Sequence, residues 1–159
     1  MTPNPIRKVL LTLQTNGVQC LLMGGQACVF YGAAEFSRDT DLAILAEPEN
    51  LHRFESAMIE LDAKAIAVPS LDMALLKKGH AVHYRCAHPE AEGIRVDVMS
   101  VLRGLPDFPV LWNRRTTVEV ASGERYDLDS RRASSVGGCA HNPRRGVVQA
   151  IARRGGTGA

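Results

Sequence analysis

Leu21-Leu22-Met23-Gly24-Gly25-Gln26, and after it Ser37-Arg38-Asp39-Thr40-Asp41-Leu42, is the stretch whose reading decides the fold. Val18–Met23 is an apolar run of strand length that stops on two glycines. Thirteen residues separate Gly25 from Asp39, where a second apolar run, Thr40–Leu45, begins behind two aspartates. Side chains alternate across a strand, so Asp39 and Asp41 fall on one side and Thr40 on the other. Glycines at the end of the first run let backbone N–H groups approach an anion closely, and a helix start there adds favourable partial charge. Gln26–Gly32 reads as that short helix.

Outward from this centre the elements alternate. Ile6, Val9, Leu10 and Leu13 mark one face of a helix over Ile6–Thr15, with Pro5 suited to its first turn and Asn16-Gly17 ending it. Pro48 opens a second helix through about Leu61, with Leu51, Phe54, Met58 and Leu61 on its core face. Lys64–Val68, Ala81–Ala87 and Gly93–Met99 read as strands, the last two joined by a turn at His88-Pro89-Glu90. Leu102–Trp112 is mixed and holds two prolines. Thr116–Val120 and Arg125–Leu128, joined across Ser122-Gly123, read as a hairpin. Helices and strands interleave early and hairpins follow late. The expected class is therefore α/β in the α+β sense: a mixed sheet with helices packed on it, not a doubly wound parallel one.

Composition bounds the rest. The chain has 159 residues, 45% hydrophobic and 23% charged, the profile of about one ordinary globular domain. Its apolar runs are far shorter than the ~20 residues of a membrane helix, and the first residues lack a signal-peptide pattern. Four cysteines, Cys20, Cys28, Cys86 and Cys139, show no paired spacing, which points to reduced thiols and a cytoplasmic location with no membrane contact. Residues 1–127 carry 13 Lys/Arg against 16 Asp/Glu, whereas residues 128–159 carry six Arg and one Asp. The expected division is a folded domain over 1–128 and a basic tail over 129–159. The tail holds six glycines and repeated Arg-Arg pairs, too little apolar surface to offset the entropy of ordering it, so most of it is expected to be disordered.

A third acid, Asp97, stands alone inside the apolar strand Ile94–Met99, where an unpaired charge is costly. If that strand neighbours the first two, Asp39, Asp41 and Asp97 form a set of hard oxygen donors suited to Mg²⁺. Three such carboxylates repel one another without cations, which makes a metal site the expected reason for gathering them. His80, His83, Cys86 and His88 invite a zinc reading. On a strand His83 faces away from the other three, and core or surface roles are expected for all four.

The ordered set Gly24-Gly25, Asp39-Thr40-Asp41 and Asp97 resembles the nucleotidyltransferase superfamily typified by DNA polymerase β. Its signature is Gly-Gly or Gly-Ser, a spacer, Asp-x-Asp, and later a lone acid on a strand. The wider text, Gly-Gly-Gln-Ala and Phe-Ser-Arg-Asp-Thr-Asp-Leu-Ala-Ile, looks like small bacterial members related to the toxin of type IV abortive-infection systems, over roughly residues 6–128. The resemblance implies a nucleotidyltransferase-like fold. It implies that Gly24, Gly25, Gln26 and Arg38 contact the phosphates of a nucleoside triphosphate, and that Asp39, Asp41 and Asp97 bind two Mg²⁺ ions. Asp97 would also help deprotonate an acceptor hydroxyl on RNA, protein or a small molecule. An antitoxin protein would be a partner.

Two departures stand out. Many members have Ser where this chain has Gln26, whose amide can also donate to phosphate. Relatives of this kind continue after the hairpin into a Lys/Arg-rich helix, whereas this chain has Asp129-Ser130-Arg131-Arg132 and the Gly/Arg-rich tail. The corresponding expectation is that residues beyond about Leu128 come from a shifted or truncated reading frame. The alternative function is a noncatalytic binding module of the same fold.

Overall fold

The computed structural model describes residues 5–24, 39–66, 70–119, 124–128 and 151–154. Pro5–Thr15 forms α1, with proline at its start where a missing N–H costs nothing, and Ile6, Val9, Leu10 and Leu13 buried. Gly17, at φ +68°, ends it. There the Gly17 N–H reaches Gln14 O at 2.9 Å and the Val18 N–H reaches Leu13 O at 3.0 Å, closing the last turn. Cys20–Met23 is β1 and Asp39–Ile44 is β2. Pro48–Glu60 is α2, entered through an extended Glu47 and proline at its first turn. Lys64–Ala65 is β3, Met73–Lys77 α3, Val82–Arg85 β4, Arg95–Met99 β5 and Phe108–Asn113 α4. Thr116–Glu119, Arg125–Leu128 and Ile151–Arg154 are β6, β7 and β8.

Among the described residues the strands form one eight-stranded sheet in the order β3-β4-β5-β2-β1-β7-β6-β8. It is mixed: β2 runs parallel to β5 and β1 parallel to β7, and the other pairs are antiparallel. With helices packed on it, this is an α+β architecture, as the interleaved pattern predicts. No described helix is long and apolar enough to cross a membrane.

Alternation along the central strands divides the interior in two. Leu22, Leu42, Ile44, Val82, Tyr84, Val96 and Val98 point to one face, where α1 and α2 cover them with Leu10, Leu13, Leu51 and Phe54. Phe54 is fully buried and meets Tyr84 edge-on, ring centroids 5.7 Å apart. Leu21, Met23 and Ala43 point to the opposite face and pack with Leu102, Phe108 and Leu111 of α4 and its approach. The two faces therefore have separate covers, and α4 reaches only part of the second.

Several expected elements differ in extent. The strand expected over Lys64–Val68 pairs only at Lys64–Ala65, with one further bond from Ile66 N–H to His83 O; residues 67–69 lie outside the described set. The mixed segment Leu102–Trp112 contains a real helix, α4, because Pro109 falls in its first turn rather than its interior. The unassigned α3 is capped by Asp72, whose carboxylate accepts from the Leu75 N–H at 2.9 Å. The helix over 26–32 lies outside the described residues, as does most of the tail. The tail's one described piece is β8, paired antiparallel with β6. The outer side of β6 offers unpaired backbone groups that any nearby extended segment can satisfy.

One buried polar residue fixes the centre. Asn50 on α2 is 4% exposed. Its Oδ1 accepts from Gln19 N–H at 2.7 Å, and its Nδ2 donates to Gln19 O at 3.0 Å and Leu45 O at 2.9 Å. It thereby joins the start of β1 to the end of β2. Asn50→Ala leaves the Gln19 N–H without its partner, a cost of ~1–3 kcal/mol, and takes one bond each from Gln19 O and Leu45 O, which keep the N–H groups of Leu45 and Glu47. A loss of about 2 kcal/mol in urea unfolding, with the denaturant slope unchanged, is the expected result.

A second tie holds α1 to the β7 end of the sheet. Glu124 accepts from Arg7 and from the Tyr126 hydroxyl, and these bonds hold its carboxyl below the usual range. A carboxylate with a depressed folded pKa stabilises fully above its unfolded value and loses that contribution as pH falls through the folded one. The melting temperature should therefore drop below about pH 4.5 by less in Glu124→Gln than in the wild type.

Candidate active site

The parallel register of β2 and β5 sets Asp39 beside Arg95 and Asp41 beside Asp97. Antiparallel β4 extends both rows: His83 stands beside Asp97 and Arg85 beside Arg95. On the other flank Met23 of β1 stands beside Asp41. Register partners project to the same face, so one row reads His83–Asp97–Asp41–Met23 and the next Arg85–Arg95–Asp39. Thr40, between the two aspartates, is fully buried on the opposite face. The carboxylates thus lie on the second face of the sheet, in line with Met23, which packs in the cluster that α4 covers.

Gly24 closes the row at β1. Its φ is +67°, and a Cβ placed there would lie 3.1 Å from Asp41 Cγ and closer still to Oδ2. Only a residue without a side chain lets the backbone turn this tightly against that carboxylate. Gly25, Gln26 and Arg38, expected to hold phosphates, lie outside the described residues.

Asp97 is 9% exposed. Its Oδ1 accepts from Arg95 Nε at 2.8 Å and lies 2.6 Å from His83 Nδ1. Arg95 Nη2 lies 3.2 Å from the same His83 Nδ1, so the guanidinium, the imidazole and the carboxylate form one three-way contact. Arg95 is held above its ordinary pKa range by its hydrogen bond to Asp97, then by the charges of Asp97, Asp39 and Asp41.

Sequence reasoning expected cations to be needed before three carboxylates could gather. The structure supplies one from the chain itself, Arg95, two residues before Asp97 on the same strand and face. Neither Arg95 nor His83 was singled out for this role. The signal was present in the spacing: residues 83 and 97 pair once the turn between β4 and β5 is centred symmetrically, as the Cys86 N–H to Ile94 O bond of 2.9 Å shows.

Among the described residues, no group of three or more His, Cys, Asp or Glu side chains is gathered closely enough to hold a metal ion. Asp41 and Asp97 face each other across adjacent strands, about 4.8 Å apart by ordinary sheet spacing, while Asp39 lies one pleat further along. The donors are all carboxylate oxygens, the chemistry of a hard cation such as Mg²⁺ and not of zinc. Cys86 is core, with burial pushing its thiol up to about 11.

Neither a scan against protein-family models nor a search of the curated proteins gives a match for this chain.

Gly24→Ala combines a left-handed backbone position, costing ~1–2 kcal/mol for a residue with a Cβ, with a collision against Asp41. Chemical denaturation should show a loss of about 2 kcal/mol or more. Asp41→Gly in the same background should recover the part due to the collision, leaving the backbone part.

Proposed function

We propose that the protein is a nucleotidyltransferase that moves a nucleoside monophosphate from a nucleoside triphosphate to a hydroxyl acceptor. One observation carries the reading: Asp41 and Asp97 are register partners on one face, with the Gly24 turn against Asp41. Asp39, Asp41 and Asp97 would hold Mg²⁺, as two ions. That metal, when bound, supplies positive charge to the phosphate oxygens and to the attacking and leaving oxygens. Gly24, Gly25, Gln26 and Arg38 would hold the triphosphate by backbone and side-chain N–H groups.

The acceptor oxygen bonds the α-phosphorus as the bond from that phosphorus to the pyrophosphate oxygen breaks. The hydroxyl proton leaves toward the carboxylate of Asp97 and then solvent. Arg95 and His83 fix Oδ1 of Asp97, which aims the other oxygen of that carboxylate. In a toxin, this transfer in the cytoplasm would disable its acceptor, and an antitoxin protein would block it.

A second reading, a noncatalytic binding module of the same architecture, is favoured by the Arg95 guanidinium on Asp97, which neutralises that carboxylate without a metal. Incubation with each α-labelled ribonucleoside triphosphate, Mg²⁺ and total cellular RNA, protein or metabolites separates the two. Transfer that falls roughly 100-fold or more in Asp41→Asn and Asp97→Asn, the scale of losing one electrostatic stabiliser, supports the enzyme. Triphosphate binding with no transfer in the wild type supports the module. Mn²⁺ binding followed by electron paramagnetic resonance should weaken in both variants under the first reading.

A further inference from the structure

The row beside the carboxylates continues away from them as a line of cations. Lys64 of β3 is the register partner of Arg85 of β4, which is the partner of Arg95 of β5, which is the partner of Asp39. All three basic residues lie on the face that carries Asp41 and Asp97. Tyr84, next to Arg85, points to the opposite core, which confirms the direction. Lys64 and Arg85 are exposed, and no ion pair engages either among the described residues. Arg95 is 40% exposed although its Nε is spent on Asp97.

Position on the sheet separates this line from the triphosphate's expected place. In the order β3-β4-β5-β2-β1 the cations occupy β3, β4 and β5, the carboxylates β5 and β2, and Gly24 the end of β1. The glycine turn and the basic row therefore flank the carboxylate pair on opposite sides. With a triphosphate at the turn, the row faces whatever approaches from the acceptor side.

We propose that the acceptor is the end of a single polynucleotide strand, whose phosphodiester backbone lies across Lys64, Arg85 and Arg95 and delivers its terminal hydroxyl to Asp41 and Asp97. Strands about 4.8 Å apart make the row about 10 Å long, enough to reach neighbouring phosphates of one strand. No aromatic residue stands in the row, so it holds the backbone and does not read bases. What happens at the strand's end rests on the transferase reading; the docking itself does not.

The test is fluorescence anisotropy of an end-labelled, mixed-sequence 12-nucleotide RNA titrated with the full chain across a salt series. Each phosphate contact on a single strand contributes a slope of about −0.7 in log affinity against log salt. Lys64→Gln with Arg85→Gln should flatten the slope by about 1.4 and weaken binding about 25-fold at 0.1 M salt. Both side chains are exposed, and an unchanged thermal melt confirms that the fold is kept. Lys77→Gln with Lys78→Gln, an equal loss of charge from the end of α3, should leave slope and affinity at wild-type values.

An RNA affinity unaltered by the row substitutions overturns the proposal. So does an equal effect from the α3 pair, which would make the binding diffuse. Weakened binding of ribonucleoside triphosphate with Mg²⁺ in the row variant also overturns it, because the row would then belong to the donor. Wild-type RNA binding with the stated slope change but no nucleotide transfer keeps the docking surface and removes the transferase. Transfer to a small molecule without RNA binding does the reverse.

Discussion

The parallel pairing of β2 with β5 is the constraint on which the candidate site depends. Strand side chains have a period of two, so a one-residue slip would send Asp97 into the core among Phe54, Leu42 and Val82 and bring Val96 or Val98 beside Asp41. That slip is prevented by burial on both sides of the sheet: Val96 and Val98 are fully buried against α2, while Leu21 and Ala43 are fully buried under α4. The carboxylate row on the second face is therefore held in place by apolar packing on the first. Asn50 fixes β2 lengthwise against β1 through three bonds to the chain at Gln19 and Leu45.

The pattern of strands and helices was legible because each main element carries its own signal. α1 and α2 show apolar residues at helical spacing and a proline at the start. β1, β2 and β5 show short apolar runs bounded by glycine or charge. Shorter elements were less so: β3 is two paired residues, α3 is five, and α4 hides behind two prolines that usually mark loops. The grouping of Asp39 with Asp41 follows from alternation within one strand. Their nearness to Asp97 does not, since a parallel neighbour can lie anywhere in the chain and only tertiary packing selects it.

The electrostatics were harder still to read from sequence. An arginine two residues before an aspartate on a strand is a commonplace pattern, and nothing local shows that both face a second pair of carboxylates. In the folded chain Arg95 stands where the cationic row meets the acidic one and belongs to both. A single side chain thus joins two regions of opposite charge on one surface. It explains how carboxylates that would repel one another can be gathered in the free protein.

The pairing of Leu22 with Leu128 has a bearing on synthesis. β1 is central, yet one of its two neighbours is among the last strands of the domain to leave the ribosome. Until β7 emerges, a buried apolar strand keeps a bare edge, and α1 lacks its contacts with Glu124 and Arg125. Such non-local closure is slow, and exposed edges in nascent chains are where intermolecular pairing begins. Completion of the domain thus waits on β7, and truncated products ending before it would be clients for chaperones.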